Sequence, residues 1–148
     1  MVIYRFAGAE DTEKVYKLIC ELENDILDLN SFREIFLANI ADENIIYLMA
    51  EADGEAVGFG SLHIQKLLHH MGLAAEIQEL VVCSKFQGHG IGGEIVTQLE
   101  KEAAQRGCLL IEVCCNRKRE KSHLFYEKQG FLRSHFKFTR ELLPDHQP

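Results

Sequence analysis

The sequence predicts a mixed α/β domain, and three observations carry that prediction. Hydrophobic spacing switches from helical to alternating and back, an Asp53-Gly54 pair separates two strand-like runs, and a glycine-rich turn joins a strand to a long amphipathic helix. The resulting order is β-α-α-β-β-β-α-β-α-β, with a strand–helix–strand unit expected to be parallel and right-handed. A chain of 148 residues suits one domain, 1–148, and is long enough to close a hydrophobic core.

Each element has its own signal. Val2, Tyr4 and Phe6 alternate with Ile3 and Arg5, the pattern of a first strand. Over residues 10–23, Val15, Leu18, Ile19 and Leu22 recur at helical spacing. Ser31-Phe32-Arg33-Glu34 has the form of a capping box, which starts a second helix at Ser31 and carries it to about residue 40. Residues 45–52 and 55–63 read as two strands of a hairpin, and 75–83 as a further strand interrupted by Glu76, Gln78 and Glu79. A helix over 90–106 buries Ile91, Ile95, Val96, Leu99 and Ala103 and stops at Gly107. Residues 109–115 read as a fully buried strand, with Cys114 and Cys115 as small core residues. A short helix over 120–129 ends at Gly130, and residues 131–140 supply one or two last strands.

Composition narrows the function. The formal charge of -7 argues against nucleic acid as the main partner, because a phosphate backbone demands a basic surface. No apolar run approaches the length of a membrane span, and residues 1–7 alternate like a strand instead of forming a signal-peptide core. The five cysteines (Cys20, Cys83, Cys108, Cys114 and Cys115) form no C-x-x-C pair, which fits a reducing, cytoplasmic setting.

The most informative stretch is Val82-Cys83-Ser84-Lys85-Phe86-Gln87-Gly88-His89-Gly90-Ile91-Gly92-Gly93. Glycines allow a ligand to approach the backbone closely, and the first amides of a helix have no internal partners. Those amides, with the helix dipole behind them, favour a phosphate. Gly88-x-Gly90-x-x-Gly93 satisfies a dinucleotide-binding fingerprint, and Glu112 follows about 20 residues later. That reading is the weaker one. Ser84 to Gln87 intervene between strand and first glycine, Glu112 sits inside its strand, and too little chain follows for a doubly wound sheet.

The other grammar, Gln87-x-x-Gly90-x-Gly92, resembles the pyrophosphate-binding Q/R-x-x-G-x-G/A of the GNAT acetyltransferase superfamily. Glu79-Leu80-Val81-Val82 resembles the fourth strand of that family, Asn116 the asparagine after its fifth, and Phe125-Tyr126-Glu127-Lys128-Gln129-Gly130-Phe131 its "FYEKxGF" ending. Where the family has a second asparagine, this chain has Arg119. The resemblance implies a mixed, mostly antiparallel central sheet with a parallel, splayed pair at strands 4 and 5 and about four flanking helices. It also implies acetyl-CoA as co-substrate and a small-molecule amine as acceptor; a homodimer is the expected assembly.

By the same resemblance, a bulged fourth strand binds pantetheine through the backbone of Leu80, Val81 and Val82. The loop Gln87, Gly88, His89, Gly90, Ile91, Gly92 and Gly93 holds the pyrophosphate, and Asn116 adds a contact. Direct transfer needs two proton movements. An alkylammonium of pKa about 10 must lose a proton, and Glu79 is the candidate base, directly or through water. Strict alternation puts Glu76, three residues earlier, on the opposite strand face. The leaving thiolate must gain a proton, and the family ending assigns that donation to Tyr126. An exposed strand carboxylate and a packed aromatic are the plain alternatives for these two residues.

The chain is further similar to the aminoalkylphosphonate N-acetyltransferases. The matching stretches are Leu18-Ile19-Cys20-Glu21-Leu22, Phe32-Arg33, Leu68-His69-His70, residues 76–82 and Ser134-His135-Phe136-Lys137-Phe138-Thr139. That similarity implies a small aminophosphonate as acceptor, an associated divalent metal whose ligands are unknown, and Arg33, His69, His70 and His135 facing the anionic group. Two other readings stand beside it: a GNAT enzyme for a polyamine, amino sugar or peptide N-terminus, and a CoA-binding regulator without catalysis.

Overall fold

A computed structural model describes residues 1–115 and 118–143, which divide after Val113 into two compact units. The first, Met1–Val113, holds a five-stranded sheet in the order β1-β2-β3-β4-β5. Its strands are β1 (Val2–Phe6), β2 (Ile45–Ala52), β3 (Glu55–Leu67), β4 (Gly72–Val82) and β5 (Leu110–Val113). Neighbours pair antiparallel except β4 and β5, which are parallel, as the sequence led us to expect. Helices α1 (Thr12–Glu23), α2 (Leu29–Ile40) and α3 (Ile91–Gln105) complete this unit, and α4 (Glu120–Lys128) belongs to the second.

Helices cover both sheet faces. Val15 and Leu18 of α1 and Phe36 of α2 bury against Met49, Phe59 and Val81. On the other face α3 buries Ile91, Ile95, Val96, Leu99 and Ala103. Close approach of α3 depends on β3 lacking side chains there. A Cβ at Gly60 would lie 2.5 Å from a methyl of Ile95 and 3.0 Å from one of Leu99. The hairpin between β2 and β3 has Asp53 and Gly54 both at positive φ (51° and 78°), the geometry that a two-residue turn of matching twist requires.

Four expectations need correction. Helix α2 begins at Leu29, and its cap is Asp28, whose carboxylate accepts from the Ser31 N–H at 2.8 Å. A capping carboxylate reaches the amide three residues on, so the signal belonged one turn earlier than the Ser31 capping box. Strand β5 is four residues long and half-buried throughout, and Cys114 is exposed. Among the described strands only β4 pairs with it, so one edge and part of each face stay accessible. Residues 131–140 form no strand, and Leu132, Phe136 and Phe138 are exposed. Alternation alone does not make a strand; the backbone groups need a ladder partner. Finally, Glu76 and Glu79 share a face, for a reason given below.

One ion-pair network ties β1 to the start of α1. Arg5 grips both oxygens of Asp11 at 2.8 Å and reaches Glu51 at 3.1 Å, while the Gly8 N–H donates to Asp11 at 2.8 Å. Asp11 is 1% exposed, and the Arg5 guanidinium holds its carboxyl below the ordinary 3.8 against the opposing effect of burial. Removing one partner of such a pair strands the other. Asp11→Ala is therefore expected to cost about 3 kcal/mol at pH 7 in urea unfolding. The folded-state value is depressed, so this contribution is present above pH 3.8 and lost as pH falls through the lower folded value. The gap between wild type and Asp11→Ala should narrow below that point. A constant gap from pH 7 to pH 3 would show that packing, not charge, sets the cost.

Candidate active site

The site begins with a fault in a ladder. Ser61 of β3 pairs with Glu79 of β4, but the next residue, Leu62, pairs with Ile77, so Gln78 is an extra residue in β4. A bulge of this kind breaks the two-residue alternation and re-aims the side chains beside it. Ile77 faces α3, whereas Gln78 and Glu79 both line the cleft beneath α1 and α2. Glu76, opposite His63, is returned to the same face as Glu79. That is why strict alternation misassigned it.

The cleft has a volume of about 310 Å³. Its apolar walls are Val15, Ile19, Phe32, Ile35, Phe36 and Phe59, and its polar groups are Asn39, Tyr47, His63, Gln78 and Glu79. Glu79 is held by its strand partner: the Ser61 hydroxyl donates to the Glu79 carboxylate and accepts from the Glu79 N–H at 3.0 Å. Asn39 donates to the Tyr47 hydroxyl at 2.7 Å. Burial raises the Tyr47 phenol above its ordinary 10.0, the Asn39 hydrogen bond opposes this, and the Glu79 charge adds to the rise. Tyr47 is therefore a neutral phenol at physiological pH. A carboxylate set among aromatic and aliphatic walls suits an ammonium group, and can take its proton.

Beside the bulge the sheet opens. β5 pairs with β4 only over residues 74–77, so residues 78–82, which include Leu80, Val81 and Val82, have no partner on that side among the described strands. The backbone here is available to an extended ligand, which could add to the edge as a strand does. The chain then passes through a short turn, Ser84–Phe86, into the glycine loop. Gly88 and Gly90 have φ of +83° and +80°, and a Cβ at either would meet nothing within 4 Å. The left-handed backbone, not crowding by protein, demands glycine there. Gly90 caps α3, whose first residues Ile91, Gly92 and Gly93 carry the amides without helical partners. Gln87 turns inward, its amide donating to the Val82 carbonyl at 3.2 Å. His89 Nδ1 lies 3.1 Å from the carbonyls of both Phe86 and Gln87, so it carries the proton and donates. These two side chains brace the loop from within.

In the second unit Tyr126 lies on α4. Its ring meets Phe125 and Phe131 edge-on, with centroids 5.2 and 5.8 Å apart. The helix ends with Gly130 at φ +96°, the Gly130 N–H bonding the Glu127 carbonyl and the Phe131 N–H bonding that of Tyr126, both at 3.0 Å. That glycine-terminated cap explains the Gly-Phe ending of the motif: it folds Phe131 back onto Tyr126. Burial pushes the Tyr126 phenol up to about 12; Cys115 adds to the rise and Arg119 opposes it.

The remaining site expectations fall elsewhere. Arg33 is at the surface, paired with Glu13 at 3.1 Å, one residue from the cleft wall at Phe32. His69 and His70 form a short turn between β3 and β4, their ring centroids 4.1 Å apart. His135 lies in the second unit, next to Ser134, whose hydroxyl is 2.6 Å from its Nδ1. Asn116 lies outside the described residues. Among the described residues no three His, Cys, Asp or Glu side chains come together as a metal site, so the implied divalent metal does not fit them. No described helix is long and apolar enough to cross a membrane. Ser61, Asn39, Tyr47, His63 and Gln78 were not expected from sequence. Cross-strand register brings the strand residues together and the packing of α2 adds Asn39, and no spacing along the chain signals either.

Known proteins align with this geometry. The family described as "Acetyltransferase (GNAT) family" matches residues 12–131. An aminoalkylphosphonate N-acetyltransferase of Salmonella typhimurium is 46% identical over 138 residues, covering 93% of this chain and 90% of that protein. The crystal structure of a transcriptional regulator from Bacillus halodurans superposes with a TM-score of 0.89 at 25% identity, covering 96% of this chain and all of the other. The glucosamine-6-phosphate N-acetyltransferase of Arabidopsis thaliana superposes with a TM-score of 0.82 at 22% identity, covering 96% of this chain and 99% of the other.

Proposed function

This chain belongs to the acetyltransferase (GNAT) family and is an N-acetyltransferase, and on that premise we propose that it moves the acetyl group of acetyl-CoA to the amine of a small aminoalkylphosphonate. The observation that carries the reading is the bulge at Gln78, which turns Glu79 into an apolar cleft within the stretch of β4, residues 78–82, that β5 leaves unpaired. The backbone of Leu80, Val81 and Val82 receives the pantetheine arm, and the amides of the Gln87 to Gly93 loop receive the pyrophosphate. Glu79 takes a proton from the ammonium. The amine nitrogen then attacks the thioester carbonyl, the C–N bond forms, the C–S bond breaks and Tyr126 gives its proton to the departing thiolate. The second proton of the attacking nitrogen is lost to solvent, which reprotonates the tyrosinate and leaves a neutral amide. The apolar walls of the cleft suit the alkyl part of the acceptor.

The phosphonate itself is assigned to Arg33, which adjoins the cleft wall at Phe32. For Arg33 the cost of engagement is small, since its pair with Glu13 is solvent-exposed (40% and 68%) and worth about 0–1 kcal/mol. A guanidinium grips two phosphonate oxygens with charge-assisted bonds roughly twice as strong as neutral ones. Arg33→Ala should raise KM for an aminoalkylphosphonate about tenfold, and that for an uncharged amine of equal length less than about twofold. Equal effects on both, or better turnover of spermidine or a peptide amine, would remove the phosphonate from the account and leave the acetyltransferase in place.

A further inference from the structure

We infer that Ser61 is a positioning residue that keeps the Glu79 carboxylate aimed into the cleft; the inference rests on the role of Glu79 as base proposed above. Ser61 is fully buried, and it lies opposite Glu79 at the bulge, where the regular ladder is interrupted. Its oxygen accepts the Glu79 N–H at 3.0 Å, and its proton goes to the carboxylate of the same residue. A hydroxyl has one proton to give. With the amide occupying an acceptor site, that proton is committed to the carboxylate. The same clasp ties the side chain to its own backbone position, so little rotamer freedom is lost each time substrate arrives. The bulge and the buried serine act as one device: the first turns Glu79 into the cleft, and the second holds it there.

A merely structural serine would also satisfy the Glu79 amide, so the test must read the chemical step. kcat and KM should be measured from pH 6 to 9 for wild type, Ser61→Ala, Ser61→Cys, Glu79→Gln and the double variant Ser61→Ala/Glu79→Gln, with one amine. Ser61→Ala is expected to lose about tenfold in kcat, as for a hydrogen bond to a charged group, while KM for acetyl-CoA stays within about twofold. Ser61→Cys, a weaker donor of similar shape, should fall between wild type and the alanine variant, and it carries the test if the alanine variant does not fold. In the Glu79→Gln background the serine substitution should cost less than about threefold, because the carboxylate it aims is gone. An equal loss in both backgrounds, or a loss confined to KM, would overturn the inference. If Glu79→Gln leaves the pH profile of kcat/KM unchanged, the base assignment fails and takes the inference with it.

Discussion

Replacing Glu79 by glutamine should lower kcat/KM at pH 7 by about 10² to 10³, within the range for removing a general base. An alkylammonium with a pKa near 10 is only about one part in a thousand free amine at neutral pH. With no carboxylate to take its proton, the acceptor must arrive already deprotonated. The defect should therefore shrink as pH rises toward 10, and acetyl-CoA should bind as in the wild type. The glutamine keeps the shape of the side chain and can still accept from the Ser61 hydroxyl, so folding is preserved. A loss of similar size at every pH would place the effect on substrate orientation instead of proton removal.

The second large effect is expected at the other end of the reaction. Tyr126→Phe should lower kcat by about 10² and change acetyl-CoA affinity by less than about twofold. With its phenol pushed up to about 12, Tyr126 remains protonated through pH 10, so the loss should be the same from pH 6 to pH 10. Donation from such a phenol to a thiolate of ordinary pKa about 8.5 is uphill by about 5 kcal/mol. A thiolate formed away from water takes up a proton more readily, by the same desolvation that raises the phenol, and this offsets part of the difference. Phenylalanine keeps the edge-on packing with Phe131 and the backbone bond that closes the helix, so stability should hardly change. Turnover within about twofold of wild type would hand the role to water or to another acid.

These two residues illustrate what the sequence can and cannot reveal. The helix end that carries Tyr126 was legible because its bonds are local. Gly130 and Phe131 close the helix that carries it, and the bonds involved span only a few residues. The glycine loop was legible for the same reason, since positive φ at Gly88 and Gly90 is a property of single residues. The setting of Glu79 was not. A bulge is a mismatch between two strands, and nothing in Glu76-Ile77-Gln78-Glu79 announces that Gln78 will be the extra residue. Alternation consequently put Glu76 on the wrong face, and the contribution of Ser61 stayed hidden 18 residues away. The same limit explains the last stretch of chain. Leu132, Phe136 and Phe138 alternate as in a strand, but a strand is defined by its partner, and residues 131–140 make no ladder. Arg33 fared differently: its position next to Phe32 sets it beside the cleft, while its pair with Glu13 depends on how α1 and α2 pack.

The most direct test of the account is release of CoA thiol from acetyl-CoA by the purified full chain, followed across a panel of primary amines. The panel should include an aminoalkylphosphonate, an uncharged amine of the same length, spermidine, glucosamine 6-phosphate and a peptide with a free N-terminus. The account predicts amine-dependent thiol release with the highest kcat/KM for the aminoalkylphosphonate, abolished to within about a hundredth of its value by Glu79→Gln at pH 7. Binding of acetyl-CoA with no thiol release from any amine would contradict it, and would make the chain a CoA-binding protein without transferase activity.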